Sequence, residues 1–167
     1  MTRIVIIEGM RGSGKTTVAE EAAKRYNREY VKFERGISPS IDMPLSILKL
    51  WITRRRVIID RFHLTEYVMR CYDHKLPIWY VTLSTQFITW LLRAAGAHTL
   101  ILTADEDEVY RRLIQRQDVS RMYDMSYPLA AASWVSAGLI WNTYTMPCNS
   151  EIQKESILSW IGMIIGG

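Results

Sequence analysis

The chain has 167 residues, of which 49% are hydrophobic and 23% charged, and its formal net charge is +4. This size suits one domain with a substantial core, and the composition excludes a disordered or low-complexity chain. The charge permits a nucleic-acid partner without requiring one, and no apolar stretch reaches the roughly 20 residues that a bilayer span needs. The two cysteines, Cys71 and Cys148, lack the spacing of a metal site and are predicted to be free thiols in a cytoplasmic protein.

Five short apolar runs rich in β-branched residues predict β-strands. Their bounds are 3–7, 30–33, 57–59, 99–102 and 139–144. The first run is apolar without interruption, as in the central strand of a parallel sheet.

Segments with helical spacing separate the strands. They are predicted at 16–26, 45–52, 65–72, 81–95, 106–116, 129–137 and 150–165. The alternation predicts an α/β fold, with a parallel sheet covered on both faces, in a single domain over residues 1–167. The carboxyl ends of the strands then share one edge, where such sheets bind ligands. Most of the six tryptophans are predicted to lie in the core.

A phosphate-binding pattern lies between the first strand and the first helix, where four residues separate Gly9 from the run Gly14, Lys15 and Thr16. Glycines allow a tight turn, and the loop amides and the helix N-terminus together attract an anion. Lys15 is predicted to reach the β- and γ-phosphates and Thr16 to bind Mg²⁺. The other predicted nucleotide contacts of this loop are Arg11, Gly12, Ser13 and Thr17.

A second motif, Asp60-Arg61-Phe62, follows the third strand. Asp60 is predicted to hold Mg²⁺ directly or through water, and Arg61 to grip a substrate phosphate. Phe62 is a candidate for stacking on the substrate's base. A surface ion pair at a strand end is the alternative for the two charged residues, and His63 either lines the acceptor pocket or is structural.

Arginines cluster in and after the helix predicted at 106–116. They are Arg111, Arg112, Arg116 and Arg121. Arginines that close over a transferring phosphoryl group stabilise its charge, and a lid at about 114–126 would carry Arg116 and Arg121. The alternative is a helix with exposed basic residues, above all for Arg111 and Arg112.

Glu34 follows the second predicted strand. A carboxylate there can accept a proton from a hydroxyl nucleophile or orient a substrate group. The alternative is an ordinary surface glutamate.

These motifs together resemble the thymidylate kinase and deoxynucleoside kinase superfamily of P-loop kinases. The run from Ile7 to Thr17 is similar to the thymidylate kinase phosphate loop, and Ile59 to Phe62 resembles its Asp-Arg-aromatic motif. Residues 100–102 and 108–116 resemble the strand and helix that lead into the family's lid, and Glu34 stands where the family has a glutamate. The resemblance implies a three-layer sandwich with a five-stranded parallel sheet and an arginine-rich lid. It also implies ATP and Mg²⁺ as cofactors, and Arg112 stacked on adenine.

The implied reaction is transfer of the ATP γ-phosphoryl group to a (deoxy)nucleoside monophosphate, with thymidylate as the default acceptor and Arg61 as its clamp. A deoxynucleoside kinase with Glu34 as base, a kinase acting on nucleotides within nucleic acid, and a nucleotide-binding regulatory module stay open. Arg11 stands where thymidylate kinases carry an acidic residue, so it either contacts a phosphate or indicates a different acceptor. A homodimer is implied by the resemblance only.

Overall fold

The computed structural model describes residues 3–33, 42–65, 78–115 and 142–166. The strands are β1 (Ile4–Gly9), β2 (Glu29–Lys32), β3 (Val57–Asp60), β4 (His98–Thr103) and β5 (Thr143–Pro147). The longer helices are α1 (Lys15–Arg25), α2 (Asp42–Ile52), α3 (Ile78–Ala94), α4 (Glu106–Gln115) and α5 (Glu151–Gly166). Of the helices in these residues, none has the length and apolar character to cross a membrane.

The five strands form one sheet in the order β2-β3-β1-β4-β5, and every neighbouring pair is parallel. All six residues of β1 are buried, as expected for the central strand that the apolar run predicted. The register places Ile7 of β1 beside Asp60 of β3 and Leu100 of β4. The predicted α/β architecture is therefore confirmed, and the carboxyl ends of β1 and β3 meet where both sequence motifs begin.

Helices cover both faces of the sheet because successive strand residues point to opposite sides. Val5 and Ile7 lie in the cluster that α1 and α5 complete, and Ile4 and Ile6 lie in the cluster that α2 and α3 complete. Small residues of α1, such as Ala19, allow that helix to pack closely on the sheet. The result is a three-layer sandwich with β1 at its centre.

Several predicted bounds differ from the structure. The strand predicted at 139–144 begins only at Thr143, because Asn142 adopts a left-handed turn with φ of 51°. Helix α3 begins at Ile78, directly after Pro77 in the sequence. Proline has no backbone N–H, and at the start of a helix this costs nothing because an N–H there would have no intrahelical acceptor. Helix α2 begins at Asp42, whose carboxylate in the first turn complements the helix dipole. The remaining predicted helices, at 65–72 and 129–137, lie almost wholly outside the described residues.

The prediction that most tryptophans are core residues is wrong for three of them. Trp51, Trp79 and Trp90 are 47–63% exposed. Helix α3 turns Ile88 and Leu92 toward the sheet instead, and this leaves Trp90 on the opposite side. Trp160 packs partly buried against the core, whereas Trp134 and Trp141 lie outside the described residues.

Candidate functional site

The phosphate-binding loop connects β1 to α1 at the carboxyl edge of the sheet. Gly9 and Gly14 both have positive φ, at 148° and 85°. A Cβ on Gly9 would lie 2.4 Å from the carbonyl oxygen of Leu102, so only glycine lets the chain leave β1 beside β4. A Cβ on Gly14 would lie 3.2 Å from Cys148 Sγ, in addition to the strain of its left-handed conformation.

The N-terminus of α1 is open to an anion. Its N-cap is Gly14, which offers no side-chain cap, and the first turn contains no acidic residue. The first amides of any helix lack an intrahelical acceptor, and the helix dipole places partial positive charge there. Lys15 is buried and donates from Nζ to Met10 O at 2.9 Å, within the loop itself. The loop therefore has the cationic and amide donors that a polyphosphate needs.

Thr16 and Asp60 join the two motifs. Thr16 Oγ1 donates to Asp60 Oδ2 at 2.7 Å, across 44 residues of sequence. Asp60 is fully buried, and its other oxygen, Oδ1, accepts no hydrogen bond from the described residues. A buried carboxylate oxygen without a donor is suited to a cation.

These two residues fit Mg²⁺. This ion typically takes one or two carboxylates from the protein, with phosphate oxygens and water completing its shell. Within the described part of the chain, no three His, Cys, Asp or Glu side chains gather as a metal site. Thr16 and Asp60 would therefore hold the ion together with a nucleotide's phosphates.

Tyr30 was missed by sequence reasoning. Its hydroxyl donates to Asp60 Oδ2 at 3.0 Å, from two residues before the end of β2. Burial raises the pKa of Tyr30, and the neighbouring Asp60 carboxylate raises it further, so the hydroxyl stays protonated as a donor. Tyr30 thus fixes the orientation of the Asp60 carboxylate. An aromatic residue in a short strand gave no sequence signal for this role.

Arg61 adopts a left-handed conformation with φ of 65°, which is costly for a residue with a side chain. Its amide donates to Ile7 O at 3.0 Å, which holds the motif beside the end of β1. The charge of Arg61 acts to lower the pKa of Tyr30 and so opposes Asp60 there. Lys15, Thr16, Asp60 and Arg61, four residues that the sequence assigned to one site, thus come together at one edge.

Glu8 is a second residue that sequence reasoning missed. It is fully buried at the end of β1, and its Oε1 accepts from the amides of Phe62 and Leu64 at 2.9 and 3.1 Å. Its Oε2 accepts from the hydroxyl of Thr65. Burial raises the pKa of Glu8, against the lowering effect of these hydrogen bonds. The carboxylate caps the turn after Asp60-Arg61 and fastens that motif to the phosphate-binding loop.

Phe62, the last residue of the motif, and His63, which follows it, are both buried. Phe62 packs edge-to-face on Phe33 at 4.7 Å between ring centroids, so its predicted stacking on a base has no support from this position. Neither ring nitrogen of His63 has a hydrogen-bond partner among the described residues, and burial lowers the pKa of His63 to about 3. His63 is therefore a neutral core residue.

Arg112 connects three parts of the site. It donates to Glu108 Oε1 at 2.6 Å, to Gly12 O at 3.0 Å and to Cys148 O at 2.8 Å. Arg111 points outward and pairs with Glu108 at 2.7 Å. A cavity of about 410 Å³ opens beside Arg112; its wall includes Gly14, Thr17, Arg112, Cys148, Asn149 and Lys154.

Of the remaining predicted site residues, three lie in the phosphate-binding loop and three lie outside the described residues. Arg11, Gly12 and Ser13 lie in the loop after β1, with Ser13 buried. Glu34, Arg116 and Arg121 lie outside the described residues, as does the lid segment from residue 116 onward. Cys148 is a buried free thiol, as predicted, and burial raises its pKa. Cys71 is not among the described residues.

Comparison with known proteins adds family membership. A family model described as an AAA domain matches residues 5–125, which span the phosphate-binding loop, Asp60-Arg61 and Arg112. The chain belongs to the AAA domain family. A search of curated protein sequences finds no match.

Solved structures share the fold of this AAA domain. The YorR protein from Bacillus subtilis, in complex with phosphorylated GDP, is 22% identical over 98% of this chain and 95% of its own, with a TM-score of 0.73. A deoxyadenosine kinase from M. mycoides with bound dCTP is 15% identical, over 96% and 99%, with a TM-score of 0.59. Thymidylate kinase from Candida albicans is 15% identical, over 99% and 91%, with a TM-score of 0.55. The resemblance to P-loop nucleoside and nucleotide kinases is confirmed at the level of the fold.

Glu8→Ala is expected to destabilise the AAA domain by about 2 kcal/mol or more, because the buried amides of Phe62 and Leu64 lose their acceptor. Glu8→Gln keeps an acceptor oxygen for both amides and is expected to lose less than half as much. Urea unfolding of the two variants beside the wild type measures the difference. Equal losses in both variants would contradict the capping role.

His63 is expected to make the folded state sensitive to acid. The unfolded chain takes up a proton on this residue near pH 6.5, whereas the folded chain does so only near pH 3. Stability from this residue should therefore fall as pH falls from about 6.5 toward 3, by at most about 1.4 kcal/mol per pH unit. His63→Leu removes this dependence without breaking a hydrogen bond. Urea unfolding at several pH values checks it, and equal slopes for variant and wild type would refute it.

Proposed function

We propose that the protein is an ATP- and Mg²⁺-dependent kinase that phosphorylates a (deoxy)nucleoside monophosphate, with thymidylate as the default acceptor. One observation carries the proposal: the hydrogen bond of 2.7 Å between Thr16, at the start of α1, and Asp60, at the end of β3. It brings the phosphate-binding loop against a carboxylate that has an oxygen open to a cation. Phosphoryl transfer needs these groups side by side, because its catalysis consists of positioning and charge stabilisation.

The donor triphosphate is proposed to lie over the N-terminus of α1. Lys15 exchanges its hydrogen bond with Met10 O for bonds to the β- and γ-phosphate oxygens. Its ammonium group then pairs with the negative charge of the phosphates. Mg²⁺, when bound, supplies positive charge to the phosphates beside Thr16 and Asp60. Tyr30 keeps the Asp60 carboxylate in place throughout, because its raised pKa leaves the hydroxyl a donor.

The base of the donor is proposed to occupy the cavity beside Arg112. Its volume of about 410 Å³ suits a small ligand. Nε, Nη1 and Nη2 of Arg112 all donate to protein oxygens, so the edge of the guanidinium is occupied and its planar faces remain for stacking. The nucleotides present in the YorR and deoxyadenosine kinase structures support a nucleotide site in this fold.

The acceptor is proposed to bind through Arg61, which grips its phosphate. An oxygen of that phosphate attacks the γ-phosphorus, the bond from this phosphorus to the β,γ-bridging oxygen breaks, and the electron pair leaves with ADP. Arg116 and Arg121 keep their predicted role of covering the transferring group. Glu34 keeps its predicted role of orienting the acceptor, and Arg11 is proposed to contact a phosphate as a further cation in the loop.

Acceptor-dependent release of ADP from ATP and Mg²⁺ tests the function. The acceptors are the four deoxynucleoside monophosphates, the corresponding deoxynucleosides and a DNA oligonucleotide. We expect release with a monophosphate and none with the others. Release with deoxynucleosides alone would replace the proposal by a deoxynucleoside kinase with Glu34 as base. Release with the oligonucleotide alone would indicate a polymer acceptor, and ATP binding without release would favour a regulatory module.

Two variants separate the donor site from the acceptor site. Lys15→Ala is expected to lower kcat/KM at least about 100-fold while the fold is retained, because the donor phosphates lose their cation. Arg61→Ala is expected to lose transfer with ATP binding nearly unchanged. Arg56→Ala is the matched control, because Arg56 is exposed and directly precedes β3, at the opposite end of that strand from Arg61. This variant should behave as the wild type. Turnover retained in Lys15→Ala, or weakened ATP binding in Arg61→Ala with normal turnover at saturation, would overturn these roles.

A further inference from the structure

Three neighbouring strands each begin directly after an arginine. Arg28, Arg56 and Arg3 precede β2, β3 and β1, and these strands lie side by side in that order. The register pairs the first residue of each strand with the first residue of its neighbour, so the three arginines occupy equivalent positions. Adjacent strands lie about 4.8 Å apart, and the backbone of the sheet therefore holds these arginines in a row about 10 Å long.

Hydrogen bonds keep the row aligned. Glu29 N donates to Arg56 O at 3.1 Å, and Val57 N donates to Arg3 O at 2.9 Å. Arg28 is buried, and its Nη1 donates to the carbonyl of Arg3 at 3.1 Å, so its side chain extends past Arg56 toward the third strand. Burial lowers the pKa of Arg28, and the nearby charge of Arg56 lowers it further. The row therefore contains positive charges that repel each other and that an anion would stabilise.

Two further arginines extend this charge. Arg54 and Arg55 lie between the end of α2 and Arg56, and both are exposed. Arg55 pairs with Glu29, whereas Arg3, Arg54 and Arg56 form no ion pair with another described residue. Five arginines and one glutamate give this surface a formal charge of +4, which equals the formal net charge of the whole chain. We call the arginines the basic edge; they are Arg3, Arg28, Arg54, Arg55 and Arg56.

An exposed aromatic side chain lies beside the basic edge. Trp51 is 47% exposed in the last turn of α2, and Arg54 N donates to Trp51 O at 3.2 Å, so the two residues belong to one turn of the chain. Proteins that hold single-stranded nucleic acid combine cations along the phosphate backbone with aromatic rings on which bases stack. The basic edge and Trp51 together supply both components.

The basic edge lies at the opposite end of the sheet from the candidate site. Arg56 and Arg61 flank β3 and are five residues apart, which at about 3.3 Å per residue separates them by roughly 16 Å. A ligand on the basic edge therefore leaves the phosphate-binding loop accessible. The inference drawn from this edge is independent of the reaction proposed above.

We propose that the basic edge and Trp51 bind single-stranded nucleic acid. Phosphates follow one another about every 3.4 Å along a strand, so the row matches about three of them, and guanidinium groups bind phosphate oxygens through paired N–H donors. Arg3, Arg54 and Arg56 contact the phosphates, and Trp51 stacks on a base that must be unpaired to reach it. An anionic membrane attracts basic residues through a diffuse surface potential and requires no fixed row of arginines.

Fluorescence anisotropy of a labelled oligothymidylate, measured with the full chain over a series of NaCl concentrations, tests the proposal. Arg3→Ala should raise Kd about five-fold at about 0.1 M NaCl, and Arg3→Ala combined with Arg56→Ala about 25-fold. Each lost phosphate contact should also reduce the slope of log Kd against log salt concentration by about 0.7. Trp51→Ala should raise Kd at least about five-fold with the slope unchanged, because stacking releases no counterion.

Arg111→Ala is the matched control, because it removes an exposed arginine from α4, a helix that follows the carboxyl end of β4. This variant should bind the oligonucleotide as the wild type does, and far-ultraviolet circular dichroism confirms that each variant is folded.

Four outcomes would overturn the proposal. The first is no binding by the wild type at about 0.1 mM protein and low salt, where even non-specific complexes form. The second is binding that the double variant leaves unchanged, or that Arg111→Ala weakens equally. The third is wild-type affinity in Trp51→Ala together with tighter binding to duplex DNA. The fourth is sedimentation with anionic vesicles without oligonucleotide binding, which would assign the basic edge to a membrane.

Discussion

The candidate site depends on two carboxylates that the fold removes from water at the ends of adjacent strands. Glu8 is the buried next-to-last residue of β1, and Asp60 is the buried last residue of β3. A buried carboxylate is costly unless hydrogen bonds or a cation compensate for its lost hydration. The two carboxylates differ in which groups compensate for their lost hydration. This difference gives Glu8 a structural role and leaves Asp60 suited to binding a cation.

Glu8 is compensated by the protein alone. Two amides and one hydroxyl from residues 62–65 donate to its two oxygens. Asp60 receives Thr16 and Tyr30 on one oxygen, while the other accepts nothing from the described residues. The first carboxylate therefore holds the Asp-Arg motif in position, and the second presents one oxygen to whatever binds there. Arg61, with its strained backbone, follows Asp60 directly, and its amide donates to Ile7 O at 3.0 Å.

The sequence predicted what is encoded locally and missed what depends on distant residues. The glycine spacing around Lys15 and the apolar run before Asp60 are local signals, and both motifs were found from them. Tyr30 and Glu8 were missed because their partners lie 30 residues or more away in the chain. The side of α3 that faces the core was also unpredictable, since that helix is apolar on both sides and its exposed Trp90 looks like a core residue.

Arg112 shows how hydrogen bonds within the protein fix a flexible side chain. The free guanidinium would lose much rotamer freedom on stacking against a base, whereas three acceptors already hold this one in place. Hydrogen bonding to Arg111, with the charge of Arg112, lowers the pKa of Glu108 to about 2, so the carboxylate stays ionised at neutral pH. Because two of the acceptors are the carbonyls of Gly12 and Cys148, the arginine also ties the phosphate-binding loop to the segment after β5. A lysine could supply the charge at this position but not the planar geometry that serves all three oxygens at once.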